Sequence, residues 1–384
     1  MNGSEKKRFS VIIPTREGAA TLGFTIASAL EQTCETYEVI VSDNCSQDNT
    51  KEIVRSFSDH RLMYINTGRR LSMCDNWEFA LSRASGEYII FIGDDDAVVP
   101  GALDQLEDFV TGNFGLVYCW SKPTYVWPID GNRPLVRARP SPRPPVDLEL
   151  RKLARIVVKM GGARYSFLPS VYHSAIPKRI LDLMREQTGR VFHSTQPDIF
   201  TAMALPVFSE KAVDVGYAVT VGGQSQHSNS VSSYKSNGIE VIERFVREYG
   251  DYKIHNSLFP DVHPVINLLP DTILVAMDTY QEFYSSVQFN YSAMWAYLIR
   301  MAKSFHWPLD LWDILEKKQR IKLCHPFDFK IFISYYMLNE LASIYRRVGE
   351  RTSYSGPRGK DIPDNISDFA GQFAKWQSAG MSCM

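Results

Sequence analysis

Residues 87–96 of this chain read EYIIFIGDDD. The apolar run at 88–92 predicts a buried strand, and Asp94, Asp95 and Asp96 follow at its end. Three adjacent carboxylates repel one another, a cost that is tolerated where a cation or many N–H donors compensate for it. The alternative interpretation is an acidic turn that caps the next helix. The end of this strand is therefore the first candidate binding site.

Strand and helix patterns alternate on the N-terminal side of this motif. Short β-branched runs predict strands at 9–14, 37–41 and 62–65, and amphipathic spacing predicts helices at 21–32, 48–57 and 75–85. Right-handed βαβ crossovers then give an α/β fold with a mainly parallel sheet flanked by helices. Because such sheets bind ligands at the carboxyl ends of their strands, the polar residues after strands one, two and four should converge.

The rest of the chain changes character in two steps. Beyond about residue 240 the patterns become longer, aromatic and helical. We therefore predict a catalytic α/β domain at 1–240, a helical C-terminal domain at 241–350, and a tail at 351–384 for which we expect little order. His173 and His193 fit no motif and are interpreted as structural.

Composition excludes several classes of function. The 384 residues include 42 Lys and Arg against 43 Asp and Glu, and this net charge of -1 predicts no nucleic-acid partner. The six cysteines form no CxxC pair, so we predict reduced thiols and a cytoplasmic location rather than a zinc site. We predict no transmembrane segment, since no stretch approaches about 20 apolar residues. Peripheral contact with a membrane and oligomer formation are left open.

Five motifs occur in a fixed order along the first hundred residues. They are Pro14-Thr15-Arg16, residues 41–50 (VSDNCSQDNT), Asn76, residues 84–88 (ASGEY) and residues 93–96 (GDDD). In order and spacing they resemble the family-2 glycosyltransferases of GT-A fold, closely over residues 8–115, more loosely to about 235, and not in the C-terminal helices.

The resemblance implies an activity and a set of ligands. It implies an inverting transferase that moves a sugar from a nucleoside-diphosphate sugar to an acceptor hydroxyl, with Mg²⁺ or Mn²⁺ as cofactor. The acceptor would be a carbohydrate or a lipid-linked glycan, in glycan or surface-polysaccharide synthesis. Two alternatives stay open, a sugar nucleotidyltransferase and a non-catalytic protein that binds nucleotide-sugars or glycans.

The resemblance also implies site residues. Asp43 would accept a hydrogen bond from the base, and Asn44 stands where a second aspartate is usual; Arg69 is a candidate contact for the diphosphate, although a solvated arginine is the alternative. The full set of predicted donor-binding residues is Pro14, Thr15, Arg16, Glu17, Asp43, Asn44, Arg69, Asn76 and Asp94.

The predicted metal ligands are Asp95, which aligns with the usual ligand, Asp96 and His227. His227 lies in a polar loop, where an exposed histidine is the alternative. The predicted catalytic base is Asp198, which follows Pro197 at the start of a helix. An acid in the first turn of a helix also interacts favourably with the helix dipole, which is the structural alternative for Asp198.

Overall fold

The structure is a computed structural model that describes residues 6–128, 133–137, 142–226, 228, 243, 245–256, 258, 264–305, 328, 330–338 and 362–381. The strands in these ranges are β1 (Phe9–Thr15), β2 (Tyr37–Asp43), β3 (Leu62–Asn66), β4 (Tyr88–Phe91), β5 (Ala97–Val98), β6 (Val117–Cys119), β7 (Thr124–Val126), β8 (Leu135–Arg137), β9 (Val146–Glu149), β10 (Ser174–Pro177), β11 (Lys211–Asp214) and β12 (Thr220–Gln224). The helices are α1 (Leu22–Leu30), α2 (Thr50–Arg55), α3 (Met73–Leu81), α4 (Ala102–Gly112), α5 (Leu150–Lys159), α6 (Lys178–Thr188), α7 (Pro197–Phe208), α8 (Pro264–Thr279), α9 (Gln281–Tyr284), α10 (Tyr291–Phe305) and α11 (Ile366–Met381).

The main sheet has the order β3-β2-β1-β4-β10-β6-β11-β9. Its first four strands are parallel, as the alternation of strands and helices predicts, whereas β10 runs antiparallel to both of its neighbours. The register of β1 and β2 pairs Thr15 with Asp43, so both strands end at the same level. The two predicted donor loops therefore start side by side.

A smaller sheet, β5-β12-β7-β8, holds the segment that follows the three aspartates. β5 begins directly after Asp96 and pairs antiparallel with β12, so that Ala97 faces Val221 and Val98 faces Thr220. Because β12 lies more than a hundred residues further along the chain, this pairing brings the polar loop after β12 to the acidic motif.

The two faces of the main sheet carry two hydrophobic cores. β1 shows the alternation, since Ile12 belongs to one core, and Val11 and Ile13 belong to the other. The first core also contains residues of α5, α7, α8 and α10, which pack around fully buried Trp295. The C-terminal helices α8 and α10 therefore share a core with α7, and the domain boundary near residue 240 stays a prediction.

The C-terminal tail differs from our expectation of little order. Residues 366–381 form helix α11, which packs against α1 and β5. Ile366, Phe369 and Phe373 are buried in the second core, and the side-chain amide of Gln377 exchanges hydrogen bonds with the backbone of Ala218. Apolar residues at helical spacing supply the burial that the glycine and serine content of the tail obscures.

Candidate active site

Thr15 joins three loops at the carboxyl edge of the sheet. Its hydroxyl donates to Asp94 Oδ2 at 2.5 Å, and its carbonyl accepts the N–H of Asn44 at 2.9 Å. Gly18 makes this approach feasible, because a Cβ there would lie 2.2 Å from Thr15 Oγ1 and 2.5 Å from Asp94 Oδ2. The structure thus brings together the loops after β1, β2 and β4.

Asp96 is enclosed by hydrogen-bond donors. Its Oδ1 accepts the Gly223 N–H at 2.6 Å, and its Oδ2 accepts the Gly93 N–H and the Tyr172 hydroxyl, each at 2.5 Å. Burial acts to raise the pKa of Asp96, but His173 and these donors outweigh it and lower the pKa to about 2. Both oxygens of Asp96 thus accept hydrogen bonds inside a fully buried environment, and its predicted role as a metal ligand stays a prediction.

His173 reaches the same carboxylate from the opposite side. Its Nε2 lies 3.1 Å from Asp96 Oδ2, and its Nδ1 lies 2.8 Å from the Thr220 hydroxyl, which itself accepts the indole N–H of Trp120. Burial, followed by the charge of Lys122, lowers the pKa of His173 to about 4, so the ring is neutral. The ring therefore supports the acidic loop. The backbone of His173 has a positive φ of 58°, a strained conformation for a residue other than glycine.

Asp94 and Asp95 differ from Asp96 in their electrostatics. Burial raises the pKa of Asp94 to about 6, although the Thr15 hydroxyl stabilises the charged form. Burial, and then the charges of Asp96 and Asp94, raise the pKa of Asp95 to about 7. From the loop after β12, the Ser225 N–H donates to Asp95 Oδ2 at 2.9 Å. Burial and like charges therefore destabilise the ionised forms of these two carboxylates, and a bound cation would stabilise those forms.

A divalent ion fits this pair of carboxylates in part. Mg²⁺ is commonly held by one or two protein carboxylates, with water and substrate phosphates completing its shell. Within the described ranges, no three His, Cys, Asp or Glu side chains converge as a closed metal site. An open site that includes Asp95 stays a prediction, and the predicted ligand His227 lies outside the described residues.

Asp43 is held by three internal donors at the end of β2. Its Oδ2 accepts the Tyr64 hydroxyl at 2.6 Å and the Asn66 amide at 3.0 Å, while its Oδ1 accepts the Ser46 N–H at 2.9 Å. Asp43 is only 1% exposed. Its position beside Thr15 fits the predicted donor site, and its contact with a base stays a prediction.

Asn44 and Asn76 use their amides within the protein. Asn44 accepts the N–H of Leu71 at 2.8 Å and donates to its carbonyl at 2.8 Å, which fixes the loop that carries Arg69. Asn76 is buried in α3 and accepts the Ser42 hydroxyl at 2.7 Å. These bonds tie neighbouring elements together, and the contact of Asn76 with the donor stays a prediction.

The remaining predicted donor residues are Pro14, Glu17 and Arg69. Pro14 and Glu17 are half-buried, and Arg69 is exposed. The Glu17 carboxylate accepts the Gln47 N–H at 3.2 Å, and Glu17 itself has a positive φ of 54°. This unusual conformation turns the chain from β1 toward the loop after β2.

The segment 245–256 contacts the predicted donor loops. No sequence motif predicts this contact. Glu248 binds Arg16 with both oxygens at 2.7 Å and accepts from Arg70 Nε at 3.2 Å. The next residue, Tyr249, donates to the Thr195 carbonyl at 3.1 Å, three residues before Asp198. This segment therefore touches both the predicted donor loops and the loop that precedes the predicted base.

Asp198 lies in the first turn of α7, where Pro197 suits the fixed backbone angle of that position. Burial raises the pKa of Asp198, while the N–H of Ile199 and the charge of Lys122 oppose this rise. No motif in the sequence identifies Lys122 as part of the site. It is half-buried, and its ammonium lies 5.8 Å from the ring centre of Tyr172.

Lys122 links the predicted base to the acidic loop. Burial lowers the pKa of Lys122, and the charges of Asp96 and Asp198 both oppose this shift. Tyr172 also interacts with both groups, because its hydroxyl donates a hydrogen bond to Asp96 and the charge of Asp198 contributes to raising its pKa. The two predicted halves of the site, the acidic loop and the first turn of α7, therefore face one shared cation.

Comparison with known proteins fits this arrangement. The model of the family described as Glycosyl transferase family 2 matches residues 10–156, which contain the loops after β1, β2 and β4. This part of the chain therefore matches glycosyl transferase family 2. The predicted family is thereby confirmed.

Two curated relatives match part of the chain. The GalNAc(5)-diNAcBac-PP-undecaprenol beta-1,3-glucosyltransferase of Campylobacter jejuni is 36% identical over 102 residues, 26% of this chain and 33% of that protein. The UDP-Glc:alpha-D-GlcNAc-diphosphoundecaprenol beta-1,3-glucosyltransferase WfgD of Escherichia coli is 31% identical over 110 residues, 28% of this chain and 44% of that protein. The chain thus spans less than half the length of these relatives.

A solved structure resembles the whole fold. S. aureus TarS 1-349 in complex with UDP-GlcNAc covers 93% of this chain and 95% of its own, with a TM-score of 0.50 and 16% identity. This likeness concerns the fold alone, and it includes the C-terminal helices. The predicted α/β fold of GT-A type with helices after it is confirmed. In the described part of the chain, no helix is long and apolar enough to cross a bilayer.

Proposed function

We propose that this chain is an inverting, metal-assisted glycosyltransferase that moves a sugar from a nucleoside-diphosphate sugar to an acceptor hydroxyl. The observation that carries the proposal is the shared neighbourhood of Asp94, Asp95, Lys122 and Asp198 at the carboxyl edge of the parallel strands. Family membership supports a transferase and does not favour the nucleotidyltransferase or binding-protein alternatives.

The donor lies, in this proposal, along the loops that Thr15 joins. Asp43 faces the base, and Arg16 and Arg70 are within the same loop cluster. Asp94 and Asp95 would hold Mg²⁺ or Mn²⁺, which would offset the negative charge that develops on the leaving diphosphate. Lys122 adds a fixed positive charge on the side that faces Asp198.

Asp198 acts as the general base. Its carboxylate takes the proton of the acceptor hydroxyl while the acceptor oxygen forms a bond to the anomeric carbon. The bond from that carbon to the diphosphate oxygen breaks in the same step, and the nucleoside diphosphate leaves with the electron pair. A single displacement inverts the anomeric centre and needs no covalent intermediate. The raised pKa of Asp198 suits a group that must accept a proton.

The relatives suggest the substrate class. Their names describe transfer of glucose to glycans on diphosphoundecaprenol, and that of WfgD specifies UDP-Glc. We infer that the donor here is a uridine-diphosphate sugar and that the acceptor is a glycan on a polyprenyl diphosphate. The reaction belongs to the synthesis of a surface polysaccharide or a related glycan.

The substitution Asp198→Asn tests the catalytic role. We expect turnover to fall by about 10² to 10⁴-fold, because an amide cannot take the acceptor proton. Donor binding, measured as thermal stabilisation by UDP-sugar with Mn²⁺, should persist, because Asp198 does not contact the donor loops. Asp368→Asn is the matched control, since Asp368 also lies in the first turn of a helix but is exposed on α11.

The outcomes separate the hypotheses. Unchanged turnover in Asp198→Asn would remove Asp198 from the mechanism. Product with retained anomeric configuration, determined by nuclear magnetic resonance, would overturn the single displacement. A chain that binds the donor and transfers no sugar to any polyprenyl-linked or free acceptor would be the non-catalytic alternative.

A further inference from the structure

A basic surface lies on α5, away from the site described above. The helix buries Leu150, Ala154, Val157 and Val158, so its polar stripe faces solvent. Five cations and two carboxylates line an open groove of about 610 Å³ on this side. We call the five cations the basic face; they are Arg151, Lys152, Arg155, Lys159 and Lys211.

The basic face concentrates charge that the rest of the chain lacks. The whole protein has a net charge of -1, whereas the groove carries five positive and two negative side chains. Glu210 lies 2.9 Å from Arg151 and Glu149 lies 3.9 Å from Lys152, both as exposed pairs. Arg155 and Lys159 are one helical turn apart and repel each other. An anionic partner bound to this surface would offset the repulsion.

Exposed apolar residues adjoin the end of α5. In the helical stretch 330–338, Ile331, Met337 and Leu338 are 43%, 53% and 59% exposed, while Phe332 is buried. The Tyr335 hydroxyl donates to the Lys159 carbonyl at 3.4 Å, which places this stretch beside the last turn of α5. Large aliphatic side chains next to a cluster of cations are typical of surfaces that bind at a membrane interface.

A further exposed apolar residue lies close in sequence to the active site. Phe167 is 46% exposed, and the Arg164 guanidinium lies 5.5 Å from its ring centre, shortly after α5 ends. Five residues later, the Tyr172 hydroxyl donates to Asp96. An extended chain of that length spans at most about 18 Å, so Phe167 lies within that distance of the backbone of Tyr172.

We propose that the basic face, with Phe167 and the exposed side of residues 330–338, docks this protein on an anionic phospholipid surface. The cations meet the lipid phosphates, and the apolar residues enter the headgroup region. The inference rests on the proposed function in one respect, because a surface that includes Phe167, within about 18 Å of Tyr172, would present a lipid-linked acceptor near Asp198.

Vesicle co-sedimentation of the full chain tests the proposal. We expect binding to vesicles of phosphatidylcholine mixed with phosphatidylglycerol, little binding to phosphatidylcholine alone, and a decline with added salt. The double variant Arg155→Glu with Lys159→Glu should bind the mixed vesicles at least about 10-fold more weakly. Leu338→Ser with Met337→Ser should weaken the binding that survives high salt.

Lys51→Glu with Arg55→Glu is the matched control. These residues are exposed on α2 with the same spacing of four residues, and α2 lies beside β3 and β2 at the other end of the sheet. We expect this variant to bind like the wild type. Equal loss in both double variants would show that overall charge is responsible and would overturn the proposal, as would equal binding to neutral vesicles.

Two further measurements keep failures distinct. If the Glu variants fold poorly by circular dichroism, Arg155→Gln with Lys159→Gln provides the same test without charge reversal. Turnover of a water-soluble acceptor should be the same in the wild type and in Arg155→Glu with Lys159→Glu. Absent turnover in both would refute the proposed function and leave the vesicle result standing, whereas binding to a soluble anionic polymer without vesicle binding would overturn the docking surface.

Discussion

The acidic loop and the first turn of α7 both present carboxylates to Lys122, but different interactions hold them. Asp96 receives donors from Gly93, Tyr172 and Gly223, which lie on separate elements. Asp198 has support mainly from the N–H of the residue that follows it and from the lysine charge. The loop is thus fixed by contacts distant in sequence, and the first turn of α7 by its own helix.

This difference distinguishes the carboxylate that stabilises the fold, Asp96, from the proposed general base, Asp198. A buried carboxylate that accepts hydrogen bonds from several elements, as Asp96 does, supports the fold. A half-buried carboxylate with few partners contributes less to folding and is available to take a proton. Within the acidic loop the same contrast distinguishes Asp96 from its neighbours Asp94 and Asp95, whose pKa values are raised.

The largest expected effect tests this contrast within the loop. We expect Asp96→Asn to lower the free energy of unfolding by about 2–4 kcal/mol, since an amide group would turn a donor toward the donors of Gly223 or Tyr172. Asp95→Asn should change it by less than about 1 kcal/mol, because Asp95 is the least stabilised charge in the loop. Urea denaturation measures both values.

Thermal stabilisation by UDP-sugar with Mn²⁺ supplies the second half of that test. We expect it to disappear in Asp95→Asn, which loses a metal ligand while staying folded. If Asp95→Asn proves as unstable as Asp96→Asn, the two residues are equivalent and the assignment of Asp96 as a structural residue is wrong.

The next effect concerns the cation that the two regions share. We expect Lys122→Met to reduce turnover by about 10- to 100-fold, because a fixed positive charge near the reacting groups is lost. Since burial raises the pKa of Asp198 and Lys122 opposes that rise, the substitution should raise the pKa further. The base is active when ionised, so activity should then be lost at a higher pH as the solution is acidified.

A pH–rate profile at saturating donor and metal measures this shift. Lys122→Arg is the control, because it keeps the charge and should keep the acidic limb near its wild-type position. A uniform fall in rate at every pH, without movement of the acidic limb, would mean that Lys122 does not act on the base.

The fold and part of the site could be predicted because their signals are local. Alternating strands and helices predict parallel order, and parallel register then places Thr15 beside Asp43. The hydrogen-bond partners of Asp96 and Asn76 could not be predicted, since a motif identifies a residue without showing which groups surround it. Their partners, such as Tyr172 for Asp96, lie far along the chain.

Two contributors to the site left no local pattern at all. Glu248 lies 232 residues from Arg16, and only the packing of the segment 245–256 brings them together. Lys122 lies shortly after β6 and belongs to none of the five motifs. Long-range placement of single charged residues depends on tertiary packing, which periodicity in the sequence does not encode.

The smallest expected effect concerns the segment that bridges the two regions. Glu248 neutralises Arg16 and Arg70, the two arginines of the loop cluster that a diphosphate would contact. In Glu248→Gln the arginines keep a hydrogen-bond acceptor but lose the competing negative charge. We therefore expect the UDP-sugar to bind up to about 5-fold more tightly, as suits an ion pair worth about 1 kcal/mol.

Isothermal titration with UDP-sugar measures this change, and Glu243→Gln, which is exposed in the same part of the chain, is the control. Weaker binding in Glu248→Gln would reverse the interpretation, because Glu248 would then orient Arg16 for the donor rather than compete with it. Turnover distinguishes these cases further. If Glu248 orients the segment through Tyr249 and Thr195, the variant should also lose turnover at saturating donor, whereas simple competition leaves that rate unchanged.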